Sequence, residues 1–391
     1  MEERYIYLDH HATTPADPRV VEAMMPYFTQ HFGNPASLAH RYGWIAKEAV
    51  ESARRKVAAL IGARPAEIVF TSGATESNNL ALQGAADAFG TPGHIITTAV
   101  EHACVLGACR ALERRGWSVT VLPVDRFGMV DPRSVLGAIR PETRIVSVMT
   151  ANNEVGTLQP VEEIGRLCDE RGVLFHTDAT QSAGRLAVHV EALRAGLLSF
   201  SAHKMYGPKG IGALYVRSRR PRVGIGPMLH GAGHEHGLRS GTLNVPAIVG
   251  FGVAAELAGK GMAEEAERLS SLRDELQRRL TALEGTSVNG HPERRLPNNL
   301  SITVEGVTAE RLITAMGNVA ASAGAACLTE ETDGRRLSHV LAALGLTEER
   351  IAGTVRFGLG RGTTVEEITE AAERFTAAVR QLRTLSLEHA V

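Results

Sequence analysis

The chain has 391 residues, enough for one large domain plus a smaller one. With 44% hydrophobic and 22% charged residues it reads as a globular protein with a sizeable core. The formal charge of −1 gives no electrostatic reason to expect direct nucleic-acid binding or an anionic membrane. The cysteines Cys104, Cys109, Cys168 and Cys327 are too few and too scattered for a disulfide framework. No apolar run reaches the ~18–20 residues of a membrane span. MEERYIYLDH lacks the apolar segment of a secretory signal. The expectation is therefore a cytoplasmic protein with no membrane partner.

In chain order, a helix is predicted over residues 44–63. Strands are predicted over 67–73, 94–100, 118–124 and 144–150, a helix over 161–172, then strands over 173–179, 197–203 and 212–218. Alternation of this kind predicts an α/β fold with a mostly parallel sheet, whose ligands lie at the carboxyl ends of the strands. A long helix over 247–283 leads into a strand-like NNLSITVEGV, and a charged, alanine-rich stretch ends the chain. The predicted division is a large domain over 21–250. Residues 1–20 and 251–391 form a smaller α+β domain.

Three strand ends carry chemistry. FTSGATESNN (70–79) turns from strand into helix, so its free N–H groups could hold an anion, with Ser72 and Thr75 adding hydroxyls. Taken alone, the segment reads more readily as a simple N-cap at a strand-to-helix turn. HTDATQSAG (176–184) ends a strand on Asp178, either a cap or an anion facing a protonated ring nitrogen. SAHKMYGPKG (201–210) supplies two lysines. Lys204 lies where the strand ends, and Lys209 lies in a Pro-Gly turn that suits a solvated side chain. Lys204 is the candidate amine for Schiff-base chemistry with pyridoxal 5'-phosphate (PLP).

Together with YLDHHATTP, FGNPAS, EHACVL, NNEVGTLQP, GLRSGTLN, SAGAAC and VRFGLGR, these segments run through nearly the whole chain in order. In them the sequence resembles the cysteine desulfurases of the class V, fold-type-I PLP enzymes, most closely the group I enzymes of iron–sulfur assembly. The resemblance implies a PLP-dependent transferase fold. Lys204 would be the covalent anchor of the cofactor. Asp178 would meet the ring nitrogen, Gln181 the phenolic oxygen, and His102 would stack on the ring. Ala74 would also lie on the cofactor, and Thr75, Ser201 and His203 would contact its phosphate. Thr242 would reach the phosphate of a partner subunit, implying a homodimer. Asn153 and Arg356 would hold the substrate carboxylate, with Asn34 helping to close the site. Cys327 would be the nucleophile that takes sulfur from L-cysteine as a persulfide, releasing alanine. An acceptor or iron–sulfur scaffold protein would then receive the sulfur. The other three cysteines read as structural.

The sequence departs from the group I pattern before the nucleophile, with Ala323-Gly324-Ala325-Ala326 where two serines are usual, and the following stretch is more acidic. That leaves the acceptor open. Another PLP enzyme of the same fold, such as a selenocysteine lyase, is the nearest alternative. HGAGHEHG (230–237) and His10–His11 could suggest metal binding, but C-x-x-C and H-E-x-x-H spacings are missing. No metal is expected.

Overall fold

The computed structural model of the protein describes residues 5–323 and 337–388. Its centre is a seven-stranded sheet of β1 (Ile68–Thr71), β2 (His94–Thr98), β3 (Ser118–Leu122), β4 (Thr143–Ser147), β5 (Leu174–Asp178), β6 (Leu197–Ser201) and β7 (Gly212–Val216), in the order β1-β7-β6-β5-β4-β2-β3. Six of the seven lie inside a predicted strand, and β4 begins one residue before its predicted start at 144. β7 is antiparallel to both of its neighbours and the other pairings are parallel. Six strands therefore point one way, and their carboxyl ends share one edge of the sheet. β6 and β7 are buried along their whole length, as strands covered on both faces must be.

The covering helices follow from apolar spacing. In α1 (Arg41–Leu60), Ala46, Val50, Ala53 and Val57 recur on one face and enter the core beneath the sheet. α2 (Ala74–Phe89) leaves β1 through Gly73 and stops at Gly90, which takes the left-handed conformation. α3 (Ala103–Glu113) and α4 (Val161–Glu170) follow β2 and β4. α5 (Val245–Thr281) opens with Pro246 in its first turn and with Asn244 capping Ala247 N at 3.2 Å. It packs along α1, where Gly252 permits the approach. A Cβ there would lie 2.7 Å from Ala53.

Among the described residues α5 is the one helix long and apolar enough to cross a membrane, which the reading of apolar runs missed. Its apolar side chains are used inside the protein. Ile248, Phe251 and Ala255 enter the large core, and Leu269, Leu272, Leu276 and Leu280 enter a second one. That second core lies under a four-stranded antiparallel sheet of β8 (Thr286–Asn289), β9 (Asn299–Val304), β10 (Ser322–Ala323) and β11 (Thr354–Gly358), in the order β10-β11-β9-β8. The helix α6 (Val365–Glu388) contributes Ile368, Phe375 and Val379 to it. The N-terminal segment joins the same core through Ile6 and Leu8, its strand Ile6–Tyr7 pairing in parallel with Val319–Ala320.

Candidate active site

A cavity of about 620 Å³ opens at the shared carboxyl edge of the large sheet. Ala74, Thr75, His102, Asn153, Asp178, Gln181, Ser201, His203, Lys204 and Arg356 all line it, so ten of the thirteen residues singled out in the sequence converge. Asn34 and Thr242 do not line it and are exposed, Asn34 accepting from Ala36 N at 2.9 Å. Cys327 lies outside the described residues.

The strand ends place each group. After β1 the chain enters α2, whose first intrahelical bond is Ser77 N to Gly73 O at 3.0 Å. The N–H groups of Ala74, Thr75 and Glu76 precede it, at the positive end of the helix dipole. Glu76 turns back to accept from Ser72 N (2.8 Å) and from Arg239 Nε (2.9 Å), tying the GLRSGTLN loop to this helix start.

Asp178 is the last residue of β5 and is 6% exposed. It accepts from Asn78 Nδ2 (2.7 Å) and Thr180 N (2.9 Å). The second bond is the cap that the sequence allowed. Both donors are neutral, and among the described residues no lysine or arginine pairs with it. A carboxylate so placed suits a cationic ligand group. Lys204 ends a short 3-10 turn after β6, with Nζ donating to Ala12 O (2.7 Å) and to His11 O.

His102 caps α3, accepting from Cys104 N at 3.2 Å through Nδ1. An amide N–H only donates, so Nδ1 is bare and the neutral ring carries its proton on Nε2. The Cys104 thiol, 2.9 Å from the same nitrogen, donates as well. Burial, then Lys204, lowers the His102 pKa against an upward pull from Asp178, keeping the ring neutral. Asn78 Nδ2 also lies 3.2 Å from the Cys104 sulfur. Asp178, Asn78, Cys104 and His102 thus form one chain of contacts. Sequence reading had taken Cys104 as structural. It lies in the first turn of α3 and lines the cavity, and burial pushes its thiol up to about 12.

Arg356, on β11, is 4% exposed. Its Nη1 donates to Asn153 O (3.0 Å), and Nη2 to Asp9 Oδ1 (3.0 Å) and Ser322 Oγ (3.1 Å). Its Nε is buried without a partner, a donor suited to an incoming carboxylate. His203 contacts Thr13 Oγ1 at 3.1 Å, and burial, then Lys204 and Lys209, holds its pKa down at about 4.

Glu101, beside His102, is fully buried. Its Oε1 accepts from Thr98 Oγ1 (2.8 Å) and Met149 N (2.9 Å), and Oε2 has no partner. Burial pushes its pKa up to about 8. Between the ordinary value of 4.5 and 8 the folded protein holds this proton and the unfolded chain does not. Glu101 therefore favours the fold below that window and loses the advantage as pH rises through it. The expected result is a urea midpoint that falls from pH 5 to pH 8, with Glu101→Gln flattening the fall. An unchanged slope in the variant would contradict the assignment.

A buried anion, an amine and an anion-binding helix start around one cavity are what pyridoxal phosphate requires of a protein, and the site fits it. Asp178 suits its pyridinium, the start of α2 its phosphate and Lys204 its aldehyde. Fold and site thus define a PLP-dependent enzyme of fold type I. The aminotransferase class-V profile matches residues 6–370. The chain is 52% identical over 383 residues to cysteine desulfurase IscS of Anaeromyxobacter dehalogenans, covering 97% of this chain and 94% of that protein. It is 50% identical over 384 residues to cysteine desulfurase IscS of Escherichia coli O139:H28, with coverage of 97% and 94%. The solved structure of a NifS-like protein superposes with a TM-score of 0.89 at 37% identity, covering 96% of this chain and all of that one. The chain belongs to the class-V aminotransferase family and, within it, to the cysteine desulfurases.

Proposed function

We propose that the protein is a PLP-dependent cysteine desulfurase that converts L-cysteine to L-alanine and collects the sulfur on Cys327 for iron–sulfur or other thio-cofactor synthesis. The observation that carries this reading is the convergence of Asp178, Lys204 and Arg356 on one cavity at the start of α2. Bound PLP supplies an electron sink for the carbanion formed at the substrate Cα. Ala74 and Thr75 at the start of α2, with Ser201 and His203, hold the phosphate, Gln181 the phenolic oxygen, and Asp178 the ring nitrogen.

The chain's own groups do the rest. Arg356 and Asn153 hold the substrate carboxylate, which orients the Cα proton toward Lys204. Lys204 removes that proton, and His102, stacked on the ring with its proton on Nε2, serves as donor. The Cys327 thiolate attacks the substrate sulfur. An S–S bond forms on Cys327, the Cβ–S bond breaks, and the carbon skeleton takes up protons and leaves as alanine. The persulfide then passes to an acceptor protein.

A homodimer is part of the proposal. Met25, Phe28, Phe32, Leu38, Tyr42 and Trp44 are more than half exposed, and the Phe32 and Tyr42 rings lie 5.3 Å apart. An apolar surface of this kind favours a second copy. Asn34 falls within that segment, and Thr242 follows the loop tied to α2, where it would reach the partner's phosphate. Sedimentation at a dimer mass is expected, and a monomer at micromolar concentration would refute it. A cytoplasmic location and the division into domains 21–250 and 1–20 plus 251–391 complete the reading.

Alanine release from L-cysteine by the PLP-loaded protein tests the activity. No alanine with PLP bound would contradict it. Within it, Arg356→Lys should raise KM for L-cysteine by ~10–100-fold with a smaller change in kcat, the scale of one charge-assisted hydrogen-bond pair. An unchanged KM would remove Arg356 from the carboxylate site.

A further inference from the structure

Behind Gln181 lies a buried cation that the chemistry above does not use. Arg185 is 6% exposed. Its Nη1 donates to Gln181 Oε1 at 2.8 Å and its Nη2 to His10 O at 3.2 Å. Among the described residues no carboxylate pairs with it. The acid that acts on it at a distance, Glu265, is itself bonded by Arg361 at 2.7 Å. Buried charges are normally paired, because taking an ion out of water without a counter-charge is costly. Here a guanidinium stands one side chain away from the cavity with only a neutral amide and a carbonyl as acceptors.

That arrangement fixes Gln181. A guanidinium only donates, so the amide atom facing it is Oε1. His11 Nδ1 lies 3.0 Å from the same oxygen, and an oxygen that only accepts requires the proton on Nδ1. His11 is 1% exposed. Burial and the charge of Arg185 hold its pKa well below the usual histidine range, so it stays in that neutral form. Oε1 is thus engaged twice, and the amide can offer the site only its Nε2 donor, which reaches His11 O at 3.2 Å. Reversing the amide would set its NH2 against two donors.

We propose that Arg185 is a positioning residue for the cofactor. Through Gln181 Oε1 it holds Nε2 as the donor to the phenolic oxygen, and its charge keeps that oxygen anionic. This rests on the reading of Gln181 as the ligand of that oxygen. The other charged and titratable groups lining the cavity are His11 from the N-terminal segment, Glu76 from α2, His102 and Cys104 from α3, Glu154 after β4, Asp178 from β5, His203 and Lys209 from the turn after β6, and Arg356 from β11. Arg185 differs from them in acting from behind Gln181.

The test is a pH titration of the absorption of the PLP-loaded protein. Removing a positive charge makes the protonated form of the lysine-bound cofactor easier to reach. Arg185→Met should therefore raise the spectroscopic midpoint by ~1 unit, the effect of one nearby charge. Arg185→Lys should stay within a few tenths of wild type. Gln181→Met should shift it upward too, and adding Arg185→Met should then raise it by clearly less than Arg185→Met does alone, because only the direct charge effect remains. A midpoint unmoved in PLP-loaded Arg185→Met would overturn the proposal, as would full additivity of the two changes. If Arg185→Met does not fold, Arg185→Gln decides by the same criterion. Wild-type protein that binds no PLP would sink the underlying reading along with the inference. Wild type that binds PLP and turns over L-cysteine, beside unshifted Arg185 variants, would sink the inference alone.

Discussion

Cys327→Ala is expected to bind PLP normally and to release alanine from L-cysteine at least on the order of 10³-fold more slowly, the scale on which loss of a nucleophile falls. The argument is one of bond accounting. Sulfur must leave the substrate carbon for an acceptor, and a thiolate is the strongest candidate the chain offers. The three other cysteines cannot substitute. Burial raises Cys104, Cys109 and Cys168 to about 12, so each is a neutral thiol at pH 7. Cys104 lines the same cavity, which makes the comparison sharp. Cys104→Ala should keep Cys327-dependent turnover, whereas substitution of Cys327 should abolish it. Alanine release that survives Cys327→Ala would make the protein a lyase that frees sulfur directly.

Lys204→Ala is the second change of large effect. It removes both the covalent anchor of the cofactor and the base nearest the substrate Cα. General-base loss alone is worth ~10²–10⁴-fold. Turnover should fall at least that far, and the PLP that remains should lack the spectrum of a lysine-bound cofactor. Lys209→Ala is the control. It also lines the cavity, but Lys209 sits in a Pro-Gly turn and is exposed, so it should keep that spectrum. Equal loss of the lysine-bound spectrum in both variants would refute the assignment of Lys204.

The two lysines show how far the sequence could be read. An apolar run that stops in Ser-Ala-His-Lys marks a strand end, and a strand end in an α/β sheet is where ligands sit. The same logic located Asp178 and the helix start at Ala74, because each follows directly from its own strand. Direction was not legible. GALYV looks like its neighbours, yet β7 runs against them, since an apolar run carries no sign of its sense. Except for the start of α4 at Val161, helix ends moved by two or three residues. α5 starts at Val245 because Asn244 caps it and Pro246 is tolerated in a first turn.

The supporting groups were invisible for a different reason. Asn78 reaches Asp178 across a hundred positions, Asp9 reaches Arg356 from the opposite end of the chain, and Arg185 matters only through what stands in front of it. Such contacts exist only once the sheet has gathered its strand ends. Cys104 shows the same limit. Its place in the cavity depends on which way α3 turns its first residues, which a lone cysteine in the sequence does not show.

The most direct test of the central claim is mass spectrometry of the PLP-loaded protein after one equivalent of L-cysteine without reductant. The account predicts one added sulfur on the peptide containing Cys327 and one alanine released per chain. Alanine and free sulfide with Cys327 unmodified, or sulfur found on Cys104 instead, would contradict it.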